Sequence, residues 1–253
     1  EVPYYCIIGE PTSQNQIGDV IKVGRRGSIS GEIIIHGIQG HVAYPSEANN
    51  AAHRAVMLGR WLSELSWDEG TSDFPGSQLQ ITGINTGTWT DNIIPGQCSV
   101  QFNIRYSHKQ NQDEIIKRIS DGLMQLKQLT ADIQVHWSRP CIPYFTASEQ
   151  SLEDHYQKMN ESPDANIVDF DLIAETERAV FNELKIFPRL SVSGGTSDGR
   201  FVAAMGSQVV ELGLPNHSIH KTNEHVLQKD IYELTRVYRS LLIHLMSKNA
   251  DSF

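Results

Sequence analysis

Glu10 and His220 are residue types that bind metal ions, and each follows an apolar run that predicts a β-strand. Glu10 stands in a Gly-Glu-Pro turn after the run VPYYCII, and His220 lies in the polar segment PNHSIHKTNEH after the run VVELG. Open catalytic metal sites collect ligands from such strand ends, which can be far apart in sequence. A turn carboxylate and a solvated loop histidine are the simpler explanations that these two residues leave open.

A glycine-rich stretch, SGGTSDGRF at residues 193–201, could bring backbone amides and hydroxyls close to a ligand. It contains three glycines, whereas a plain surface turn needs fewer. The serine in its GTSDG segment suggests a nucleophile, but the flanking pattern of a nucleophile elbow is absent and the sequence identifies no base. A Walker loop and an HExxH motif are also missing from the sequence. Serine-based hydrolysis is therefore not predicted.

Arginines in two segments suit a substrate that carries carboxylates. GRRGS at residues 24–28 contains adjacent arginines, and FNIRY at residues 102–106 places Arg105 on an alternating strand. Arginine can hold a carboxylate through two parallel hydrogen bonds, although paired arginines are often only solvated. A further candidate is His41 in GIQGHVAYP, for which the polar tip of a helix-entry loop is the alternative.

The elements that must position these residues begin with a central module. Period-two alternation predicts strands, and apolar residues at helical spacing predict helices. The predicted strands are 28–38, 77–87, 97–107 and 131–138, and the predicted helices begin near residue 50 and span 111–129. This β-α-β-β-α-β order is the ferredoxin-like pattern, in which two helices back an antiparallel sheet.

Strands and helices on both sides of this module predict that it is inserted into an α/β domain. These flanking elements are strands at 2–8, 187–193 and 207–213 and helices at 169–184 and 230–248. The expected organisation is a catalytic-domain segment at 1–25, a lid or dimerisation domain at 26–139 and a second catalytic-domain segment at 140–253.

Composition argues against nucleic-acid and membrane partners. The 253 residues carry a formal net charge of −9, whereas nucleic-acid binders display a basic face. Every apolar run is shorter than the roughly 20 residues that cross a bilayer. Three widely spaced cysteines without a CxxC pair suit a reducing cytoplasm. Because the chain opens directly on a β-rich run and lacks an initiator Met, we expect it to be part of a longer polypeptide.

Seven short motifs follow the order found in the M20 family of di-zinc amidohydrolases and peptidases, which the chain resembles. They are GEP (9–11), GRRGSISG (24–31), GIQGHVAYP (37–45), NIIP (92–95), FNIRY (102–106), GGTSDGRF (194–201) and SIHKTNE (218–224). The resemblance covers nearly the whole chain except about 146–168, which is interpreted as an insertion. It implies an α/β fold: the C-terminal portion of a zinc-peptidase-like catalytic domain with an inserted ferredoxin-like α+β lid or dimerisation domain.

The resemblance also implies roles for individual residues. Glu10 would bind one of two zinc ions and His220 the other, with cobalt as the alternative metal. His41 would reach from one subunit of a homodimer into the partner's site and stabilise the oxyanion. Substrate carboxylates would be held by Arg26, Ser28, Asn92, Arg105, Gly195, Thr196 and Asn216. The family's other zinc ligands and its general-base glutamate have no counterpart in this sequence, so the chain alone is expected to bind zinc poorly and not to turn over.

Within the family, the resemblance is greatest to members that act in lysine and peptidoglycan-precursor synthesis. They hydrolyse the amide of N-succinyl-L,L-diaminopimelate to succinate and L,L-diaminopimelate. The implied mechanism is metal-assisted, since two zinc ions lower the pKa of a bridging water and polarise the amide carbonyl. Two alternatives stay open: a deacylase for another N-acyl amino acid such as acetylornithine, and a non-catalytic dimerisation module.

Overall fold

The computed structural model describes most of the chain, and it divides the chain into two compact units. The described residues are 2–70, 75–126, 133–146 and 171–250. Unit 1 comprises residues 1–25 and 144–253, and unit 2 comprises residues 26–143. The later boundary falls after 143 instead of the expected 139, because the last strand of unit 2 runs to Cys141. The stretch interpreted as an insertion lies outside the described residues, apart from residue 146.

The described strands and α-helices are labelled in chain order. They are β1 (Tyr5–Ile8), β2 (Val20–Lys22), β3 (Gly24–Arg25), β4 (Gly27–His36), β5 (Gly40–His41), α1 (Ala51–Glu64), β6 (Gln78–Asn85), β7 (Ile93–Ile94), β8 (Gln97–Tyr106), α2 (Gln112–Gln125), β9 (Ile133–Cys141), β10 (Tyr144–Phe145), α3 (Asp171–Leu184), β11 (Arg189–Ser191), α4 (Gly199–Ala203), β12 (Gln208–Glu211) and α5 (Gln228–Ala250). None of these helices has both the length and the apolar character that a membrane crossing requires.

Unit 2 is built on a four-stranded antiparallel sheet in the order β6-β8-β4-β9. With β4, α1, β6, β8, α2 and β9 in sequence, this is the ferredoxin-like arrangement, so the predicted module is confirmed. Gly31 on β4 lies opposite Phe102 on β8, and the aromatic ring fills the space that a side chain on Gly31 would need. The opposite face of the sheet is left to more polar side chains, because side chains alternate between the two faces of a strand.

The core of unit 2 is formed by one face of this sheet together with α1 and α2. Its fully buried members include Ile29, Ile33, Ile35, Leu58, Leu62, Val100, Phe102, Ile104, Ile115 and Ile119. Both helices begin at asparagine caps: the Asn50 side chain accepts hydrogen bonds from the first turn of α1, and the Asn111 side chain accepts one from Glu114 in α2. Such caps satisfy backbone N–H groups that a helix leaves unpaired.

Unit 1 contains a mixed four-stranded sheet in the order β1-β12-β2-β11. β1 is parallel to β12, and β11 is parallel to β2. β2 was not predicted, because its three residues are too few for a periodic pattern. Helices α3 and α5 pack against each other. Buried apolar residues of the unit include Ile21, Val180, Val192, Val209, Val210, Val237 and Leu241.

Candidate active-site residues

Two segments that leave the unit 1 sheet run side by side and carry predicted site residues. Because β1 and β12 are parallel, the segments that follow them leave the same edge of the sheet. Gly213 donates to the Thr12 hydroxyl over 3.0 Å, and Asn216 donates through its backbone N–H to the Ser13 carbonyl over 2.9 Å. A Cβ on Gly213 would overlap the Glu10 carbonyl. The structure therefore places the backbone of Glu10 and Asn216 on adjacent segments at the carboxyl edge of this sheet, where α/β domains bind ligands.

His220 ends the turn that continues this segment, and its backbone is in the left-handed region. Its φ is 58°, and Asn223 follows with a φ of 62°. Such values are uncommon for residues other than glycine, and they concentrate at functional sites. The side chains of His220 and Glu10 are both exposed. Both residues are therefore accessible to a ligand.

The metal-binding residue types of this chain do not complete a zinc site by themselves. Structural and catalytic zinc sites use three or four protein ligands. Among the residues that the structure describes, no group of three or more histidine, cysteine, aspartate or glutamate side chains could hold a metal ion. Glu10 and His220 would each supply a single ligand, so further ligands would be required.

A buried charged network lies beneath this edge of unit 1. The Arg25 guanidinium donates through Nε to both carboxylate oxygens of Glu211, over 3.1 and 2.9 Å, and also through Nη2. The Tyr144 hydroxyl donates to the same carboxylate. Burial, followed by the negative charge of Glu211, raises the pKa of Tyr144 far above its usual range. The phenol therefore stays protonated and serves as a donor to the buried Glu211.

Lys22 supplies a second buried cation, and its partners are two hydroxyls. Its Nζ donates to Ser193 Oγ over 2.8 Å and to Ser191 Oγ over 3.1 Å. Only 5% of the residue is exposed. Burial, followed by the positive charges of Arg25 and Arg189, lowers the pKa of Lys22 to about 8. The amine thus contacts Ser193, the first residue of the glycine-rich stretch.

The glycine-rich stretch presents an exposed backbone after Ser193. Gly194, Gly195 and Thr196 are all exposed, and Gly194 has a φ of 110°, which strains any residue with a side chain. Ser197, by contrast, is buried, and its hydroxyl accepts a hydrogen bond from the Gly199 N–H. Gly195 and Thr196 are therefore accessible from solvent, while Ser197 stabilises the entry to α4.

In unit 2, three predicted substrate residues come together on the sheet face opposite the core. Ser28 lies directly opposite Arg105 in the pairing of β4 with β8, and Arg26 immediately precedes β4. Burial, followed by the positive charge of Arg105, lowers the pKa of Arg26. Arg26 Nη1 donates to the Gly76 carbonyl over 3.3 Å, but its buried Nε has no hydrogen-bond partner within the described part of the chain. Two arginines whose charges repel each other suit an anionic ligand.

Asn103 is a polar neighbour of this pair that sequence analysis missed. Its Nδ2 donates to Ser28 Oγ over 3.1 Å and to Ser30 Oγ over 3.0 Å. These bonds fix the Ser28 hydroxyl beside Arg105. The alternation of β8, which places Asn103 and Arg105 on one face, was a signal that could have identified it.

The remaining two predicted residues, His41 and Asn92, meet on a small ribbon. His41 in β5 pairs with Ile93 in β7, and the Val42 N–H donates to the Asn92 carbonyl over 3.1 Å. The Ala43 N–H donates to His41 Nδ1 over 3.0 Å. Because Nδ1 accepts this bond, the neutral His41 ring carries its proton on Nε2, which makes Nε2 a donor.

Lys22, Arg25, Tyr144 and Glu211 are the principal residues that sequence analysis did not assign to a site. Lys22 and Glu211 each follow two apolar residues in a short strand, where a charged side chain needs a partner, and that was an available signal. Their partners could not be identified from sequence, because Arg25 and Glu211 are 186 residues apart.

Comparison with known proteins identifies relatives over nearly the whole chain. Succinyl-diaminopimelate desuccinylase 2 of Shewanella loihica is 46% identical over 243 residues, which is 95% of this chain and 59% of that protein. Succinyl-diaminopimelate desuccinylase 1 of Alteromonas mediterranea is 41% identical over 244 residues, which is 95% of this chain and 57% of that protein. The chain therefore spans less than two thirds of the length of these relatives.

A structural neighbour and a family model agree with these relatives. The crystal structure of aminopeptidase PepT from Bacillus cereus superposes with a TM-score of 0.69 at 17% identity, covering 94% of this chain and 56% of that one. At this identity the likeness shows the fold, and it confirms the predicted α/β class. The model of the M20-type peptidase dimerisation domain matches residues 23–128. Residues 23–128 therefore match a peptidase dimerisation domain, and the chain is similar to succinyl-diaminopimelate desuccinylases over most of its length.

Proposed function

We propose that the protein containing this chain hydrolyses the succinyl amide of N-succinyl-L,L-diaminopimelate, releasing succinate and L,L-diaminopimelate in the cytoplasm. The observation that carries the proposal is an identity of 41–46% to three proteins named as succinyl-diaminopimelate desuccinylases, over at least 95% of this chain. The three cysteines are free thiols, which suits a reducing compartment.

Two groups of residues would bind the carboxylates of this substrate. Arg26 and Arg105 form a cationic pair beside Ser28 in unit 2, and no acidic partner for Arg26 Nε lies within the described residues. In unit 1, the exposed backbone at Gly195 and Thr196 offers N–H and hydroxyl donors. The substrate carries several carboxylates, and each group taken by itself could hold one of them. Asn92 and Asn216 would add amide contacts.

His41 would supply the donor for the oxyanion that forms when water attacks the amide. Its Nδ1 is occupied by the Ala43 N–H, so Nε2 carries the proton and can donate. A donor aimed at developing negative charge is one of the larger contributions to amide hydrolysis. His41 is exposed and lies within the dimerisation domain, which supports its acting in the site of a second copy in a homodimer.

The proposal includes two zinc ions, for which Glu10 and His220 would each provide one ligand. Both side chains are exposed, and their backbone segments leave the same sheet edge. The remaining ligands and the general base would come from outside the residues that the structure describes. When bound, such metal ions supply an activated water and polarise the scissile carbonyl.

The experiment that tests the proposal compares two N-acyl substrates on the full-length protein. Succinate release from N-succinyl-L,L-diaminopimelate and acetate release from N-acetylornithine are measured on one preparation whose zinc content is determined in parallel. Succinate release with about two zinc ions per subunit supports the proposal. Cleavage of acetylornithine alone assigns the protein to a related deacylase, and dimers without zinc or turnover assign it to a dimerisation module; both outcomes overturn the proposal.

A further inference from the structure

Two buried cations of unit 1 bind the same residue, Ser193, immediately before the exposed glycine backbone. We propose that Lys22 and Arg25 are positioning residues that hold Ser193 and thereby fix the backbone of Gly194, Gly195 and Thr196 for binding a substrate carboxylate. This inference deepens the proposed function and rests on it for the role of the loop.

Lys22 fixes the Ser193 side chain through a closed set of hydrogen bonds. Its Nζ donates to Ser193 Oγ and Ser191 Oγ, and these two hydroxyl oxygens are 3.1 Å apart. The Ser193 N–H in turn donates to Ser191 Oγ over 3.2 Å. Hydrogen bonds from a charged donor are stronger than neutral ones, and burial shields them from water. The side chain and the backbone N–H of Ser193 are therefore both restrained.

Arg25 fixes the carbonyl of the same residue. Its Nη1 donates to the Ser193 carbonyl over 3.2 Å, while its Nε and Nη2 are held by Glu211. The guanidinium is a planar fork, so anchoring one side on a buried carboxylate sets the direction of the other side. The same Nη1 occupies the space that a Cβ on Gly194 would need. This contact explains why the chain has glycine where the loop turns.

A purely structural role would not require this convergence. A buried ion pair between Arg25 and Glu211 could support the sheet without reaching the loop, and a buried lysine is costly in any fold. Here both cations donate a hydrogen bond to Ser193, and the exposed backbone follows directly after this residue. A Cβ on Gly195 would meet no atom within 4 Å, so the space beside Gly195 is open.

The test compares two substitutions of Ser193 that introduce side chains of nearly the same shape. Ser193→Thr keeps the hydroxyl, whereas Ser193→Val replaces it with a methyl group, so any steric effect is shared. In the full-length zinc-loaded protein, we expect Ser193→Val and Lys22→Met to raise KM for N-succinyl-L,L-diaminopimelate by about tenfold while kcat changes by less than about threefold. Ser193→Thr should keep KM within about twofold of the unsubstituted protein. Equal KM values for the Thr and Val variants would overturn the inference.

A second measurement keeps the inference testable if the proposed activity is absent. Amide hydrogen exchange of the peptide spanning residues 190–201 is followed by mass spectrometry in the same full-length proteins. We expect exchange in this peptide to accelerate by about tenfold in Ser193→Val and Lys22→Met, with the rest of the protein unchanged. Unchanged exchange in both variants would overturn the positioning role, whereas absence of succinate release from the unsubstituted protein would overturn only the proposed function.

Discussion

Arg25 and Glu211 form a buried ion pair in which the arginine Nε contacts both carboxylate oxygens, at 3.1 and 2.9 Å. The side chain of Glu211 is fully buried, and that of Arg25 is 10% exposed. Neither charge can be solvated if the other is removed. Since Arg25 ends the first segment of unit 1 and Glu211 ends β12, the pair ties the two parts of the unit together.

Replacing Glu211 with glutamine should destabilise the protein strongly, because it leaves the Arg25 guanidinium buried without a counter-charge. Loss of one partner of a buried pair costs about 3 to 5 kcal/mol. The free energy of unfolding, measured by urea denaturation, should fall by this amount. The matched control is Glu64→Gln, which removes the acid of the exposed Arg60–Glu64 pair and should leave the urea midpoint unchanged. A similar midpoint for both variants would show that Arg25 is solvated in the folded protein.

Lys22 should make stability rise with pH. Its folded-state pKa is about 8, lowered first by burial and then by Arg25 and Arg189, with Glu211 opposing the shift, and the ordinary value is 10.5. Between these values the folded protein has released a proton that the unfolded chain still binds, so the free energy of unfolding increases from pH 8 to pH 10.5.

Lys22→Met isolates this contribution, because every other titrating group is shared by the two proteins. From pH 8 to pH 10.5, the free energy of unfolding should increase by on the order of 2 kcal/mol more in the unsubstituted protein than in the variant, allowing for partial screening by water. Urea denaturation at pH 7.5, 9 and 10.5 measures the difference. Parallel pH profiles would mean that the amine is not buried as the structure shows.

Gly194 and Gly195 should respond differently to alanine although they are adjacent. Gly194 has a φ of 110°, and a Cβ there would overlap Arg25 Nη1, whereas a Cβ on Gly195 would meet open space. Gly194→Ala should lower the free energy of unfolding by about 1 to 3 kcal/mol. Gly195→Ala should change it by less than about 0.5 kcal/mol. Thermal and urea denaturation of the two variants, measured side by side, decide whether the loop has this backbone in solution.

The ferredoxin-like module was predictable because its signals are local. Long strands with period-two alternation and helices that start at Asn50 and Asn111 specify their own elements, and their order permits few sheets. The charged network was not predictable, because Arg25 and Glu211 lie on two short strands that are 186 residues apart in sequence. The GRRGS pattern by itself indicated only adjacent arginines, and the family resemblance implied the substrate role of Arg26. The pairing of its neighbour Arg25 with Glu211 could not be identified from either.

Arg26 and Arg105 should bind a dicarboxylate together. Burial, followed by the positive charge of Arg105, lowers the pKa of Arg26, and a carboxylate bound beside Arg26 would offset this repulsion. Arg26→Gln or Arg105→Gln should weaken the binding of succinate to the full-length protein by about tenfold, measured by isothermal titration calorimetry. Arg118, which lies over the Trp67 ring, offers a control outside this group. Succinate binding that survives both single substitutions, or falls equally with Arg118→Gln, would place the carboxylate site elsewhere.

His41 should act in the site of the neighbouring subunit, and mixing two inactive variants tests this directly. His41→Ala removes the Nε2 donor, and His220→Ala removes a proposed zinc ligand, so each homodimer should lose about 10² to 10³-fold in turnover. In a mixed dimer, the subunit that keeps His220 receives His41 from the other subunit, and one of its two sites is complete. An equal mixture should therefore recover about a quarter of the original rate, since about half of the dimers are mixed. His53→Ala, which alters an exposed histidine on α1, serves as the control and should leave turnover unchanged. If His41 acts within its own subunit, the mixture stays as inactive as its components.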